Sequence, residues 1–220
     1  MSTLTPVINL AEAQAALAGA EPQAIIRYAI ERAQGGAMVS TNFRPLEAVM
    51  LHMVTQVQAD IPVLWVDHGY NTAETYRFAE RLIEQLGLQI HLYLPRRSAA
   101  HREAVSGGIP ALDDAEAHDA FTQEVKLEPF RRGLAELAPS VWFTALRREQ
   151  TAFRAGMEVF GLEASGLVKV SPLLDWDEAR MRAYLDEHGL PDEATYFDPT
   201  KVEGSRECGL HPHLFAGKGR

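Results

Sequence analysis

Ile61-Pro62-Val63-Leu64-Trp65-Val66, then Asp67-His68-Gly69-Tyr70-Asn71, then a helical stretch from Thr72 to Leu86 closed by Gly87, then Gln89-Ile90-His91-Leu92-Tyr93-Leu94: this run of the chain decides the fold class. The first segment is apolar without alternation, as strands buried on both faces are. The second is a polar turn. The third carries Tyr76, Phe78, Ala79, Leu82, Ile83 and Leu86 on its buried and half-buried faces, and Gly87 stops it. A strand, a crossover helix and a second strand imply a parallel pair joined with right-handed chirality.

The same alternation extends in both directions. Residues 8–34 read as helices, interrupted near Pro22 and stopped by Gly35-Gly36. Ala37-Met38-Val39-Ser40 reads as a buried strand. It runs through Thr41-Asn42-Phe43-Arg44 into a helix opened by Pro45, with Leu46, Val49, Met50, Met53, Val54 and Val57 on its apolar face. Beyond Leu94, residues 95–118 read as an irregular surface segment. Glu124–Leu137 returns to helix, Val141–Thr144 is a strand, and Leu167–Val170 is another. Asp175 is expected to cap a helix that ends at His188 before Gly189 and Pro191. No regular element is expected from Asp192 onward. The expected organisation is an α/β domain over 1–191, with residues 1–36 as N-terminal helices, followed by a flexible catalytic tail over 192–220.

The chain has 220 residues, 46% hydrophobic and 23% charged, with a formal net charge of −9. That is the composition of a globular protein. Its acidity argues against broad nucleic-acid binding. No apolar run approaches the ~20 residues of a membrane span. Met1-Ser2-Thr3-Leu4-Thr5 lacks the basic start of a secretory signal, so a cytoplasmic location is expected.

In an open parallel sheet, ligands bind beyond the carboxyl ends of the strands. Ser40–Arg44, Asp67–Asn71, Ser98–Arg102 and Arg147–Arg154 fall there. The first precedes a helix N-terminus, where backbone N–H groups favour anions; it also reads as a plain capping turn. The fourth gathers Arg147, Arg148 and Arg154, fork-shaped donors suited to phosphate or sulfate; a solvated face shared with Glu149 is the other reading. His68 stands in one of these loops. His52, His91, His101 and His188 read as structural or surface residues, and Tyr76, Phe78 and Trp142 as core. The chain contains no HExxH, Walker A or GxGxxG pattern.

Cys208 is the only cysteine. It cannot form an internal disulfide or supply the thiolates of a structural zinc or iron–sulfur site. A free thiol fits a reducing compartment. Arg206 and a charged His211 favour its thiolate, and Gly209 permits close backbone approach. Local chemistry leaves both a nucleophile and a small buried hydrophobe open.

Taken together, these loops resemble the phosphoadenosine phosphosulfate (PAPS) reductases of the adenine-nucleotide α-hydrolase-like superfamily, from about Ser40 to His211. Ser40–Phe43 with Ala48-Val49-Met50-Leu51-His52 resembles the family's phosphate loop and helix. Asp67-His68-Gly69-Tyr70 with Glu74-Thr75-Tyr76-Arg77-Phe78 is similar to its Asp-Thr-Gly-Tyr motif, with His68 in place of Thr. Lys126-Leu127-Glu128-Pro129 resembles its Lys-Val-Glu-Pro, and Leu146-Arg147-Arg148-Glu149-Gln150 with Arg154 resembles its arginine loop. Lys169–Trp176 is similar to its last strand and helix start. Arg206-Glu207-Cys208-Gly209-Leu210-His211 matches its C-terminal signature. Arg44-Pro45 stands where the family has small residues, and the span from Leu190 to Arg206 is short.

The resemblance implies a Rossmann-like three-layer α/β sandwich. It implies a thioredoxin-dependent reduction of 3′-phosphoadenylyl sulfate to sulfite and adenosine 3′,5′-bisphosphate, through a Cys208 S-sulfonate, in sulfate assimilation. Cys208 is then the nucleophile. Ser40, Thr41, Asn42, Phe43, Asp67, Gly69, Lys126, Arg147, Arg148, Arg154, Arg206 and His211 are the implied substrate-binding residues. Thioredoxin or glutaredoxin is the implied electron donor, and homodimers are common in the family. The related adenylyl-sulfate (APS) reductases hold a [4Fe–4S] cluster on four further cysteines that this chain lacks, so no cluster or other metal is expected. Two other readings stand beside this one: the same chemistry on APS without a cluster, and a nucleotide-binding regulatory protein without turnover.

Overall fold

The structure, a computed structural model, describes residues 7–111 and 113–201. The expectations placed on Arg206, Cys208 and His211 lie outside the described residues.

Six strands form one sheet in the order β3-β2-β1-β4-β6-β5. They are β1 (Ala37–Thr41), β2 (Pro62–Val66), β3 (Gln89–Tyr93), β4 (Val141–Phe143), β5 (Phe160–Leu162) and β6 (Val168–Val170). All neighbours are parallel except β5, which runs antiparallel to β6 at the edge. In the centre, Val39 registers with Val63 of β2 and with Phe143 of β4. The chain's direction of winding reverses between β1 and β4, and a crevice opens at such a point.

Eight α-helices accompany the described sheet: α1 (Leu10–Ala16), α2 (Pro22–Arg32), α3 (Glu47–Val57), α4 (Ala73–Leu86), α5 (Ala99–Ser106), α6 (Ala115–Thr122), α7 (Glu128–Leu137) and α8 (Glu178–His188). Two apolar cores separate the layers. The larger joins Ile26, Val39, Val49, Met53, Phe78 and Leu185 on one face of the sheet. The smaller joins Met38, Leu64, Phe130 and Trp142 on the other. Side chains alternate across a strand, so consecutive apolar residues Met38 and Val39 each find a core. This is the three-layer α/β sandwich.

Local signals set most boundaries. Thr72 caps α4 by accepting the Thr75 N–H at 3.0 Å, and Gly87 ends it with φ +62°. Three expectations need correction. The helix after β1 begins at Glu47, not at Pro45, because Phe43 and Leu46 take positive φ and fold the chain into a turn first. Asp177, not Asp175, caps α8, and Asp175 instead meets Arg148. The stretch expected to be irregular holds α5 and α6, capped by Ser98 and Asp114. Residues 192–201 contain no helix or strand, but they are bound to the body: Asp192 accepts the Leu46 N–H at 2.7 Å, and Thr195 lies 3.4 Å from Thr72. Among the described residues no helix is long and apolar enough to cross a membrane.

Candidate active site

The crevice between β1 and β4 is a narrow, partly open cleft with a cavity volume of about 40 Å³. One wall is Ser40, Thr41 and Asn42 with Arg44 and Glu47; the facing wall is Thr144, Ala145 and Leu146; Tyr196, Asp198 and Lys201 close one side. Ser40 is fixed by the Trp142 indole N–H, which donates to its Oγ at 2.8 Å. Thr144 continues β4 by donating its N–H to the Val170 carbonyl at 2.9 Å, and its hydroxyl shares a hydrogen bond with Ser171. Leu64, Val66 and Phe130 form its apolar floor.

The loop after β1 closes on a carboxylate. Glu47 Oε2 accepts from the Thr41 hydroxyl and from the Asn42 N–H, each at 2.8 Å, and Oε1 accepts from Arg44 Nε at 2.7 Å. Phe43, expected to face substrate, turns its ring into the core against Trp65 and Phe78.

Lys126 sits in a π-helical turn, Gln123–Leu127, with its side chain only 2% exposed. Its ammonium donates to Asp198 Oδ2 at 2.6 Å and to the Thr200 hydroxyl at 3.1 Å. Asp198 Oδ1 accepts from the Thr200 N–H and hydroxyl. Burial alone would raise the Asp198 carboxyl, but Lys126, Thr200 and His68 outweigh it and hold it below the ordinary carboxylate range. Lys126 therefore reaches the cleft wall through Asp198.

At the end of β2, Asp67 Oδ1 accepts from the Gly69 N–H, the Asn71 amide and the Tyr76 hydroxyl. Gly69 holds φ +82°, which favours glycine. His68 is buried. Its Nδ1 accepts the Tyr70 N–H at 3.0 Å, which places its proton on Nε2. Burial, opposed by Asp198 and Asp67 and assisted by Lys126 and Arg102, pushes His68 down to about 4, so the ring is neutral at pH 7.

After Leu146 the chain enters the arginine loop. Arg147 is buried, its guanidinium meets Glu149, and its N–H donates to Gln150 Oε1. Arg154 is buried and also reaches Gln150. Arg148 takes a different course: it bonds Asp175 at 2.5 Å and the carbonyls of Ala155 and Met157, and lines a separate groove with Trp176 and Arg180. The structure thus brings Ser40, Thr41 and Asn42 into one cleft, links Lys126 to it, sets Arg147 directly after its far wall, and turns Arg148 and Phe43 elsewhere. Sequence reasoning missed Glu47, Thr144 and Asp198. Asp198-Pro199-Thr200 carried a turn signal that marks such a carboxylate as locally bonded. Among the described residues no group of three or more His, Cys, Asp or Glu is arranged to hold a metal ion.

Comparison with known proteins places this geometry in context. A family model described as the phosphoadenosine phosphosulfate reductase domain matches residues 36–200. The phosphoadenosine 5′-phosphosulfate reductase of Synechococcus sp. is 39% identical, over 87% of this chain and 81% of its own. That of Cronobacter sakazakii is 38% identical, over 92% of this chain and 91% of its own. The crystal structure of phosphoadenylyl-sulfate reductase from Candida auris, in a phosphate complex, superposes with a TM-score of 0.74 at 23% identity, over 87% of this chain and 90% of that one. The Candida glabrata FMN adenylyltransferase bound to FAD and pyrophosphate shares the fold more distantly, with a TM-score of 0.54 at 14% identity, over 84% of this chain and 60% of that one.

Proposed function

This chain belongs to the phosphoadenosine phosphosulfate reductase family, and on that premise we propose that it reduces PAPS to sulfite by way of a sulfonated Cys208. The observation that carries the reading is the cleft at the reversal of the sheet, walled by Ser40–Asn42 and Thr144–Leu146, inside the matched span.

The nucleotide lies in this cleft with its base on the apolar floor. Its phosphosulfate points toward Arg147 and Arg154. These cations offset the repulsion between a thiolate and a polyanion and stabilise the leaving phosphate. The Cys208 thiolate attacks the sulfur. An S–S bond forms, the S–O bond to the phosphate breaks, and adenosine 3′,5′-bisphosphate leaves. A dithiol protein, thioredoxin or glutaredoxin, supplies two electrons. One thiolate attacks Cys208, sulfite departs, and the second thiol resolves the mixed disulfide. Arg206 and His211 favour the Cys208 thiolate. Arg148 shapes the arginine loop through its bonds to Asp175 and the loop carbonyls. The single cysteine of the sequence cannot furnish the thiolates of an iron–sulfur cluster, and the reaction belongs in the cytoplasm, where such donors are reduced.

The test is intact-protein mass after incubation with PAPS, and separately with APS, without reductant. A sulfonate-sized gain with PAPS, absent in Cys208→Ser and released as sulfite by thioredoxin, is expected. Sulfite release by Cys208→Ser would remove the nucleophile from the scheme. A gain with APS alone would change the substrate.

A further inference from the structure

We infer, resting on the reading above, that Lys169 and Trp142 are positioning residues for the reaction: together they hold the Ser40 hydroxyl as a hydrogen-bond donor directed into the cleft. Side chains alternate across a strand. Val168 and Val170 of β6 enter the larger core, so Lys169 between them lies on the opposite face of the sheet. There it registers with Trp142 of β4, which in turn registers with Met38 of β1. Ser40 stands two residues beyond Met38 and shares its face. The row from Lys169 through Trp142 to Ser40 thus crosses three strands and ends at the cleft wall.

Lys169 Nζ stands 5.2 Å from the centroid of the Trp142 ring, within reach of a cation–π attraction. Trp142 is fully buried, and its indole N–H donates to Ser40 Oγ at 2.8 Å. An indole nitrogen only donates, so the serine oxygen is the acceptor. The single proton of that hydroxyl is left for the cleft that Ser40 lines, where it suits an oxygen of an anionic substrate. A cation on the face of an indole polarises the ring and strengthens its N–H as a donor. The ammonium is a costly choice for this place. Its side chain is 7% exposed and its ion pair with Glu163 is as long as 3.8 Å, while an apolar residue of similar length would fill the same space without a buried charge.

The experiment is a double-mutant cycle on the full chain, read as kcat/KM for sulfite release from PAPS with excess thioredoxin. Ser40→Ala should lower it on the order of 30-fold, as the loss of a hydrogen bond to a charged group does. Trp142→Phe should lower it about tenfold. Lys169→Met should lower it about fivefold, and Lys169→Arg, which keeps a cation over the ring, should recover most of that loss. In the Ser40→Ala background, Trp142→Phe and Lys169→Met should each cost less than about twofold more. Equal losses in both backgrounds mean that the two residues act on the fold and not through Ser40, and overturn the inference. A Ser40→Ala enzyme of full activity, or a Lys169→Arg enzyme as poor as Lys169→Met, overturns it as well. Should one of the buried variants fail to fold, the cycle through the other decides; failure of both to fold overturns the inference, since the row would then be part of the fold itself. A wild type that gains no sulfonate from PAPS removes the functional reading. A sulfonated wild type with additive losses removes only this inference.

Discussion

Glu47 and Asp198, the acids on the β1 side of the cleft, have side chains 9% and 2% exposed, whereas Glu149 and Asp175, the acids that meet the arginines after β4, are 41% and 69% exposed. The first pair is fully enclosed by donors. The second pair is wetter, so its attraction to arginine is more screened, although the Arg147 side chain itself is only 7% exposed. An incoming polyanion can replace Glu149 on Arg147 at little cost. It cannot displace Glu47 or Asp198 without stranding a buried charge. Ion pairs that look alike on a contact diagram thus divide into fixed parts of the fold and exchangeable placeholders.

The largest effect that could break this contrast is on stability. Asp198→Ala leaves the Lys126 ammonium buried without its anion, so unfolding free energy in urea should fall by about 3–5 kcal/mol. A loss below about 1 kcal/mol would place this pair with the wet ones. Next, Arg147→Met should lower kcat/KM for PAPS on the order of 10²-fold, measured as sulfite release with excess thioredoxin. If the urea midpoint falls and turnover does not, the arginine is part of the fold after all.

The pH axis sharpens the β2 end of the same wall. His68 is held near 4 in the fold, against about 6.5 when unfolded. Between these values the unfolded chain binds more protons, so stability is complete above about pH 6.5 and declines as pH falls toward 4. The decline attributable to this ring is on the order of 3 kcal/mol, and His68→Gln should flatten that part of the stability profile. The smallest effect is expected for Asp175→Asn, about 0–1 kcal/mol, as for exposed pairs generally; a loss above 2 kcal/mol by the same urea titration would show that its exposed ion pair is not exchangeable.

The central strands were legible because apolar runs such as Ile61–Val66 and Val141–Phe143 carry their burial in their composition. Helices α5 and α6 were not. Ala99–Ser106 has no apolar stripe, and its only buried residue is Arg102, which bonds the carbonyls of Arg97 and His68. A helix held by a buried guanidinium leaves no hydrophobic period to read. Strand β5 was invisible for another reason: Phe160-Gly161-Leu162 is three residues long and buries only Phe160. At the site, residue types were legible and pairings were not. Lys126 and Arg147 look equally available in sequence. Only folding shows that one is matched to a carboxylate 72 positions away and the other to a neighbour two positions on.

The π-helical turn at Gln123–Leu127 has a consequence for how this chain tolerates length changes. Within it Val125, Lys126 and Leu127 are all buried, three successive residues covered by the body around the turn. The turn accommodates one residue more than a regular helix would need. Deleting Glu124 would let the backbone relax to the tighter spiral and carry the ammonium round the helix, away from Asp198, while every apolar residue of α7 kept its place. A single codon lost at this point would be felt as a change of electrical partner more than as a change of shape.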